Sequence, residues 1–575
     1  MIETHRIANA EGWEVERDYP AWGNNDLYLT TIKGGYLQKG ETPRDAYNRL
    51  ANTAANLLND KTLVNEFFKI FWNGWLIPST PVMVNFGTDK GLPISCFSGK
   101  IDDDMYEIGR KELEMRMLSK YSGGTAYDFS SIRPLGAPIK NGTLGTSDGI
   151  IPFMKSYDST IISSKQGKTR RGAVALYLNT EHKEYEEFLK IREPKGDVNR
   201  QCHNVHQGAV ITDSFMNTVI DNKDSKERQL WLDTLKTRVK TGEPYMFFID
   251  NANRNLPLNW KENDLKIWHS NLCSEIMLPT DGRHTLVCCL SSLNLVKFDE
   301  WKDTNTVFLA TMFLDSVLQD FINRSKDSKG IEDARRFAKK SRALGLGTLG
   351  WHTYLQSKNL PFISIYSNGI TKKMFSHIND ESIKASNFLA SKFGEPKWCK
   401  GTGRRNLTRM AIAPNRSSAK LAGGVSQGIE PIAANIYMDD DAKGMHIRRN
   451  PILEKVLIEK GKNIPEVWDQ IIEDKGSVVN VRCLSEDEKD VFRTFKEINQ
   501  LELVKQAAVR QEFIDQGQSL NLAFRQDAPA NFINKVHMEA WKLGIKALYY
   551  FRSESILRAD SQQRDLYDEC LMCEG

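Results

Sequence analysis

Short apolar runs with strand-forming composition alternate with longer amphipathic helical segments along this chain. One helical segment covers residues 42–59, where Thr42 can cap the helix and Pro43 suits its first turn. Another covers about residues 371–393 and ends before Gly394. The strand-like runs include GAVALYL (172–178), TLVCCLSSLNL (285–295) and ALYYF (547–551). This alternation predicts an α/β fold class, and 575 residues allow one large domain with additions or two to four ordinary domains.

The charge balance gives no indication of nucleic-acid or membrane binding. The chain has 78 basic and 74 acidic side chains, and its net charge of +4 is small. The first twenty residues are charged throughout and lack the apolar core of a signal peptide, and no run of 18 apolar residues occurs. We therefore predict a cytoplasmic protein with no nucleic-acid or membrane partner. Nine cysteines in such a chain favour catalytic or redox-active thiols over structural disulfides.

The run SNLCSEIMLP, residues 270–279, places Asn271, Cys273 and Glu275 at every second position among apolar residues. The pattern is that of a buried extended strand. Because successive side chains of a strand point to opposite faces, these three groups would project into the same space. The sequence thus predicts a cluster of reactive groups at this place.

The end of the chain, from about Arg558 to Gly575, is polar and has no helical or alternating pattern. It is predicted to be a mobile tail. Cys570 and Cys573 form a C-x-x-C pair within it, with no second pair to complete a zinc site. A dithiol that carries electrons needs only these two sulfurs, and this interpretation is preferred to an incidental pair of cysteines.

Two other motifs have structural interpretations that compete with functional ones. QCHNVHQ (201–207) offers Cys202, His203 and His206 as metal ligands, but a buried polar segment is the simpler interpretation. GLGTLG (345–350) matches a dinucleotide-binding pattern, which requires a preceding strand. The segment before it looks helical and charged, so glycines that ease close helix packing are preferred.

Several further residues are ambiguous when each is considered alone. Adjacent cysteines in a strand point to opposite faces, so at most one of Cys288 and Cys289 can lie beside Cys273. Cys96 could be a buried small apolar residue, and the tyrosines of ALYYF could be core. The loop APNRSSAKLAGG (413–424) combines hydroxyls and backbone donors with the possible start of a helix, a setting that attracts phosphate.

Together these segments resemble the large, catalytic subunit of class I ribonucleotide reductases, in the family's order from about Trp75 to the C-terminus. The resemblance is carried by the Asn-x-Cys-x-Glu array at 271–275, the APNRSSA loop, GIEP (428–431), the Tyr549–Tyr550 pair and the tail dithiol. Each motif is modest alone, and their combination in this order is specific.

The resemblance implies roles in the reaction for five of the nine cysteines and for two neighbouring polar residues. Cys273 would form a thiyl radical that takes the 3′-hydrogen of the substrate, Glu275 would act as general base, and Asn271 would orient the ribose hydroxyls. Cys96 and Cys288 would supply two electrons and become a disulfide, Cys288 being chosen over Cys289 because it starts the family pattern C-x-L-x-S-x-N-L. The tail dithiol would reduce this disulfide and be renewed by a thioredoxin- or glutaredoxin-like reductant.

The resemblance also implies partners and binding sites. Tyr549 and Tyr550 would carry the oxidising equivalent from a separate, metal-containing small subunit, so this chain would hold no metal and no covalently bound cofactor. A ribonucleoside diphosphate would be held by the loop residues Asn415, Arg416, Ser417 and Ser418 with help from Thr80, and Ser95 would lie near the ribose. A nucleoside triphosphate effector would bind at a homodimer interface near Asp103, Lys140 and Arg170.

The implied fold is a ten-stranded α/β barrel, built from two parallel five-stranded halves, with a finger loop that carries Cys273 to its centre. We expect a helical lead-in over 1–78 without a full ATP-binding regulatory module, the barrel over 79–557, and a redox-active tail over 558–575. Control by ATP and dATP would then be absent or reside in the partner subunit. Three alternatives remain: an adenosylcobalamin-dependent reductase, a thiol–disulfide oxidoreductase, and a non-enzymatic nucleotide-binding scaffold.

Overall fold

The computed structural model describes residues 6–8, 14–16, 18–23, 25–121, 123–164, 172–194, 196–441 and 444–553. The strands in this part of the chain are β1 (Arg6–Ala8), β2 (Glu14–Glu16), β3 (Leu76–Pro78), β4 (Cys96–Lys100), β5 (Gly124–Asp128), β6 (Val174–Asn179), β7 (Val205–Ile211), β8 (Tyr245–Phe248), β9 (Leu286–Asn294), β10 (Leu344–Leu349), β11 (Ile436–Asp441), β12 (Gly444–Arg449), β13 (Leu522–Ala523), β14 (Ala547–Leu548) and β15 (Phe551–Arg552).

The helices of the same described ranges are α1 (Asp26–Lys33), α2 (Pro43–Leu57), α3 (Leu63–Trp72), α4 (Thr80–Asn85), α5 (Met105–Lys120), α6 (Ile151–Ser163), α7 (Tyr185–Phe188), α8 (Asp213–Asp221), α9 (Lys226–Thr241), α10 (Ile249–Asn253), α11 (Leu258–Glu262), α12 (Phe298–Trp301), α13 (Thr306–Arg324), α14 (Glu332–Ser341), α15 (Trp351–Ser357), α16 (Ile365–Phe393), α17 (Arg416–Leu421), α18 (Pro451–Glu459), α19 (Pro465–Glu473), α20 (Glu486–Val491), α21 (Gln500–Gln511) and α22 (Ala530–Lys542). None of these described helices is both long and apolar enough to span a bilayer.

The N-terminal part is helical, as expected, but it also contains a two-stranded antiparallel hairpin of β1 and β2. Helix α2 begins where the sequence predicts, because Thr42 and Asp45 form a reciprocal capping box at its start. The helix predicted from about 371 begins earlier, at Ile365, because Ser364 and Ser367 form a second capping box there. Local capping chemistry thus fixes both starts.

Five parallel strands form the first half of a barrel. β4, β5, β6, β7 and β8 lie side by side in chain order, and each pair is parallel. Their side chains are almost all buried on both faces, which is typical of parallel sheets covered by helices.

The second half consists of β9, β10 and three less regular segments. β9 and β10 are parallel, and single parallel bridges continue from Leu346 to Met410 and from Ile412 to Gln518. β13 then pairs in parallel with β15. These segments supply five neighbouring chain directions, although only part of them has full strand geometry.

Two antiparallel seams join the halves. At one seam β4 pairs with β9, and at the other β8 pairs with β14. The described sheet and bridges therefore close into a ring of ten segments in two parallel halves, which confirms the expected ten-stranded α/β barrel.

The glycine-rich motif at 345–350 lies in and just after strand β10, so the prediction that its glycines ease helix packing was wrong. A Cβ on Gly345 would lie 2.8 Å from Cys288 Sγ and 2.5 Å from a methyl group of Leu290. One on Gly347 would lie 2.7 Å from the Ala411 carbonyl oxygen. The glycines thus allow β10 to approach both neighbours closely.

Candidate active site

The segment predicted as a strand at 270–279 is instead a turn followed by an irregular chain inside the barrel. Ser274 has a φ of +66° and its N–H donates to the Asn271 carbonyl oxygen over 3.3 Å. The carbonyl of Asn271 also accepts from the Tyr177 hydroxyl of β6 over 2.7 Å, and that of Ser270 accepts from Ser98 Oγ of β4. Side chains of the barrel strands therefore donate the hydrogen bonds that the backbone carbonyls of this segment would receive from a neighbouring strand in a sheet.

Two polar side chains of this finger segment, those of Asn271 and Glu275, converge on Cys96, although not through strand alternation. Asn271 Nδ2 donates to Cys96 Sγ over 3.3 Å, and Cys96 Sγ lies 4.0 Å from Glu275 Oε1. Ser519 Oγ lies 2.5 Å from the Cys273 carbonyl oxygen and 3.1 Å from Glu275 Oε2. All five residues are buried. The barrel centre therefore joins the Cys96 thiol, an amide and a carboxyl group, and Cys273 is buried between Asn271 and Glu275 in the chain.

Ser519 was not identified from the sequence. It lies 246 residues beyond Cys273, in a segment without a distinctive motif. Its neighbour Gly517 allows the finger to approach, because a Cβ there would lie 2.7 Å from Met277 Cε, and its N–H donates to the Glu275 carbonyl oxygen over 2.9 Å. The finger is thus held by the second half of the barrel as well as by the first.

Cys96 and Cys288 are opposite each other in the antiparallel register of β4 and β9. Directly opposed residues in such a pair have Cα atoms about 4.5–5.5 Å apart, which lies within the range that a disulfide bridges. Cys289 pairs instead with Leu344 of β10, and the charge of Asp315 of α13 adds to burial in raising the pKa of its thiol. The register therefore brings Cys288, and not Cys289, to Cys96.

Both neighbouring thiols of β9 are held in their protonated form. Burial raises the pKa of Cys288 well above its usual value, and the amide of Gln516, whose Nε2 donates to Cys288 Sγ over 3.6 Å, opposes that shift. Burial likewise raises the pKa of Cys289.

Asn415 directly precedes α17, and the residues predicted to continue the loop, Arg416, Ser417 and Ser418, instead form the first turn of this helix. Asn415 adopts a left-handed conformation with a φ of +59°, and its side chain is used internally: Nδ2 donates to the Thr348 carbonyl oxygen and Oδ1 accepts from Ser292 Oγ over 2.8 Å. Ser417 and Ser418 are buried behind the half-buried Arg416. Asn415 therefore shapes the loop through its contacts with β9 and β10.

Thr80 and Ser95 lie on the neighbouring wall. Thr80 begins α4 and its Oγ1 lies 3.1 Å from the Tyr36 hydroxyl, while Ser95 Oγ donates to Ser79 Oγ over 3.3 Å. Helix α17 packs against β3, which directly precedes α4. The loop and Thr80 are thus on adjoining elements.

The two tyrosines lie between β14 and β15, at the second seam. The ring centroids of Tyr549 and Tyr550 are 4.4 Å apart, and Tyr245 of β8 lies 4.8 Å from the first ring and 5.0 Å from the second. Tyr549 is buried and its N–H donates to the Leu520 carbonyl oxygen, next to Ser519; Tyr550 is half-buried. Three aromatic rings therefore pack against one another at this seam, and Tyr245 was not identified from the sequence.

Two of the three predicted effector residues are described. Asp103 accepts from Arg133 Nε over 2.8 Å, and Arg133 Nη1 donates to the Pro138 carbonyl oxygen, close to the exposed Lys140. Arg133 thus contacts Asp103 and the backbone two residues before Lys140. It was not identified from the sequence. Arg170, like Cys570 and Cys573 of the tail, lies outside the described residues.

The structure gives no support to a metal site at 201–207. Cys202 and His206 are buried while His203 is exposed, and burial raises the pKa of Cys202 to about 12. Among the described residues, no group of three or more His, Cys, Asp or Glu side chains is placed to hold a metal ion.

Comparisons with known proteins agree with this geometry. The family model for the ribonucleotide reductase barrel domain matches residues 94–551 in three overlapping or adjoining parts, and the model for the family's all-alpha domain matches residues 24–91. A ribonucleoside-diphosphate reductase large subunit of Frog virus 3 (isolate Goorha) is 38% identical over 87% of this chain and 91% of its own length. That of Invertebrate iridescent virus 3 is 34% identical over 96% of this chain and 98% of its own.

Among solved structures, the class Id ribonucleotide reductase alpha subunit of Actinobacillus ureae superposes with a TM-score of 0.87 at 40% sequence identity, covering 94% of this chain and 99% of that one. The barrel, the all-alpha region before it and the match over nearly the whole length agree with one another. The chain therefore belongs to the family of ribonucleotide reductase large subunits.

Proposed function

We propose that this subunit reduces ribonucleoside diphosphates to 2′-deoxyribonucleoside diphosphates through a thiyl radical on Cys273. The observation that carries the proposal is the β4–β9 register that sets Cys96 opposite Cys288, with Asn271 and Glu275 both within 4.0 Å of Cys96 Sγ. The viral relatives are named as ribonucleoside-diphosphate reductases, which supports the diphosphate as substrate.

In the proposed reaction the Cys273 sulfur takes the 3′-hydrogen atom and leaves a radical on C3′. Glu275 accepts the proton of the 3′-hydroxyl, and the neighbouring 2′-hydroxyl takes a proton from the thiol pair and departs as water. Cys96 and Cys288 together supply two electrons and two protons, one proton to the water and one to C2′, and become a disulfide. The proton on Glu275 returns to the 3′-oxygen, and Cys273 returns the hydrogen atom to C3′. The balance is one ribonucleotide and two thiols to one deoxyribonucleotide, one disulfide and one water.

The buried setting suits these roles. A protonated thiol pair holds the proton that leaves with water and the one that ends on C2′, and the raised pKa of Cys288 keeps its thiol protonated at neutral pH. Asn271 donates to Cys96 and, with the finger turn, fixes the carboxyl of Glu275 on the same side of the barrel.

For the substrate phosphates we propose the loop from Asn415 to Ser418, with Thr80 beside it and Ser95 near the ribose. Because the Asn415 amide holds the loop to β9 and β10, we assign the phosphate contacts to backbone N–H groups, the serine hydroxyls and Arg416.

The oxidising equivalent would come from a separate, metal-containing small subunit and pass through Tyr550 and then Tyr549, an order that follows their burial. The class Id description of the solved relative supports this over the adenosylcobalamin-dependent alternative. The spent disulfide would be reduced by Cys570 and Cys573, and these in turn by a thioredoxin- or glutaredoxin-like protein.

A homodimer with a nucleoside triphosphate effector at its interface is the proposed regulatory form. Large apolar side chains are exposed on α5 and α6, at Met105, Tyr106, Leu113 and Ile162. Met105 and Tyr106 begin α5, two and three residues after Asp103, so this end of the helix combines apolar side chains with the charged Asp103–Arg133 pair.

The test is the reduction of cytidine diphosphate by the full chain with small subunits loaded with candidate metals. The native chain should form deoxycytidine diphosphate with one of them, and Cys273→Ser should form none while keeping nucleotide affinity. Turnover by the chain with adenosylcobalamin and no second subunit, or deoxynucleotide formation by Cys273→Ser, would contradict the proposal.

A further inference from the structure

The motif at 201–207 contains a buried histidine that the proposed reaction does not use. His206 lies in β7, and its Nδ1 is 2.7 Å from Glu243 Oε1 and 3.4 Å from the phenolic oxygen of Tyr550. Its ring meets the Tyr550 ring edge-on, at 6.2 Å between centroids and 80° between planes. A stacked contact with Tyr245, at 5.9 Å and 18°, fixes the other side of the imidazole.

Glu243 determines which hydrogen the imidazole carries. The Arg192 guanidinium lies 2.6 Å from Glu243 Oε1, and the Gln207 N–H donates to Oε2 over 2.9 Å. Burial alone would raise the pKa of this carboxyl, but Arg192 and His206 outweigh burial and hold the pKa well below its usual value. The group is therefore a carboxylate, which can only accept. The nitrogen 2.7 Å from it must carry a hydrogen.

The same N–H faces the oxygen of Tyr550. Because Nδ1 is the donor, the Tyr550 oxygen is the acceptor of this longer, shared bond, and its own O–H points elsewhere. An acceptor role for the oxygen is compatible with phenol, phenolate and phenoxyl forms alike, since each retains lone pairs on oxygen.

We propose that His206 is a positioning residue for Tyr550: its Nδ1–H, oriented by Glu243 and Arg192, donates to the phenolic oxygen and holds the ring against Tyr549. The inference rests on the radical-carrying role proposed for Tyr550 and adds the group that fixes it. In the transfer, Tyr549 gives an electron and its phenolic proton to the Tyr550 phenoxyl, so that Tyr550 becomes phenol and Tyr549 phenoxyl. The His206 N–H bond is neither formed nor broken.

The experiment places 2,3,5-trifluorotyrosine, a tyrosine analogue whose phenol titrates near neutral pH, at position 550 of the full chain, and follows its ionisation by ultraviolet absorbance. A hydrogen-bond donor stabilises phenolate more than phenol. His206→Phe keeps a ring in the site but removes the donor, so the acid dissociation constant of the probe should fall about tenfold. His206→Asn returns an N–H to nearly the place of Nδ1 and should restore at least half of the shift on a logarithmic scale.

The same analogue at position 549 serves as the matched control, because it reports any general collapse of the ring stack. Circular dichroism and thermal melting of each variant show that the barrel is intact. The proposal would be overturned if His206→Phe left the acid dissociation constant of the probe at 550 unchanged. It would also be overturned if His206→Asn lowered that constant as much as His206→Phe does, or if His206→Phe lowered the constant of the probe at 549 as much as that at 550. The titration needs neither turnover nor a partner subunit, so its failure is distinct from failure of the proposed reductase activity.

Discussion

Two antiparallel seams join the halves of the barrel, and they bring together groups of different chemistry. At the β4–β9 seam, Cys96 is opposite Cys288 in a regular ladder. At the β8–β14 seam the ladder is short, and the chain beyond it stacks Tyr549 and Tyr550 against Tyr245. The first seam thus presents a sulfur pair suited to two-electron exchange, and the second presents rings suited to one-electron transfer.

The electrostatic settings differ in the same way. Burial keeps the pKa of Cys288 raised, whereas the ring seam contains the ionised Glu243 with Arg192 and His206. The two seams therefore differ in electrostatics: the Cys288 thiol is protonated, and the tyrosines lie beside an ion pair.

The largest expected effect is on the thiol seam. Cys288→Ser should lower sustained deoxynucleotide formation by roughly 10³-fold or more, because the residue acts as a unit with Cys96. Its neighbour provides the matched control: Cys289→Ser faces α13 and should change the rate by less than about twofold. Steady-state cytidine diphosphate reduction measures both. Equal losses in the two variants would mean that the β4–β9 register does not select the redox thiol.

The ring seam should be nearly as sensitive. Tyr549→Phe keeps the stack but removes the hydroxyl proposed to carry the radical, and turnover should fall by about 10²- to 10³-fold with little change in nucleotide affinity. Tyr185→Phe removes the hydroxyl of another buried tyrosine, which lies within 3.0 Å of Thr234 and away from the seam, and should retain at least about half of the activity. A Tyr549→Phe variant with native turnover would refute the division of roles between the seams.

The pH dependence of thiol modification tests whether Cys288, at the thiol seam, is protonated at neutral pH. Because burial raises the pKa of Cys288, the rate with a small thiolate-specific methanethiosulfonate should rise about tenfold per pH unit from about pH 7 to about pH 10, whereas a thiol with the ordinary pKa of about 8.5 approaches its plateau above about pH 9. Mass spectrometry of the Cys288 peptide in a Cys289→Ser background follows the rate. A rate that levels off by about pH 9.5 would mean that the pKa is not raised.

Ser519→Ala tests the connection between the seams, since Ser519 holds the finger and its neighbour Leu520 accepts from Tyr549. Loss of one hydrogen bond to the carboxyl should lower kcat about tenfold with little effect on KM. Pre-steady-state measurement of product formation distinguishes a slower chemical step from slower release. A variant with native kcat and a raised KM would assign Ser519 to substrate binding instead.

The smallest effect concerns packing of the thiol seam. Gly345→Ala would place a methyl group 2.8 Å from Cys288 Sγ and 2.5 Å from Leu290, and should destabilise the protein by about 1–3 kcal/mol. Gly369→Ala meets nothing within 4 Å on α16 and should stabilise it by roughly 0.5–1 kcal/mol. Urea denaturation measures both. Similar changes would show that β10 can move away from the thiols without cost.

The sequence predicts elements well where local chemistry decides them. The capping box at Thr42 fixes α2, and the apolar runs at 172–178 and 285–295 become β6 and β9. The alternating array at 271–275 marks two side chains that converge on Cys96, but the strand assigned to it was wrong, because side chains of surrounding strands satisfy its carbonyls. Local patterns cannot reveal such distant partners.

The remaining parts of the site depend on contacts between segments far apart in the chain. Ser519 meets the finger across 246 residues, and His206 meets Tyr550 across 344. The glycines of β10 match a nucleotide-binding pattern, yet glycine is needed there because sulfur and carbonyl groups of adjacent segments leave no room for a Cβ atom. The choice of Cys288 over Cys289 follows from strand register, which the family pattern suggests and alternation alone leaves open.

The opposed positions of Cys96 and Cys288 have a mechanical consequence. A disulfide between them would link the two halves of the barrel covalently and close a loop of roughly two hundred residues. The lost entropy of the unfolded chain would raise the free energy of unfolding by about 5 kcal/mol. Each catalytic cycle would therefore form and break a covalent link between the two halves. The oxidised protein would have the higher melting temperature until a reductant cleaves the disulfide.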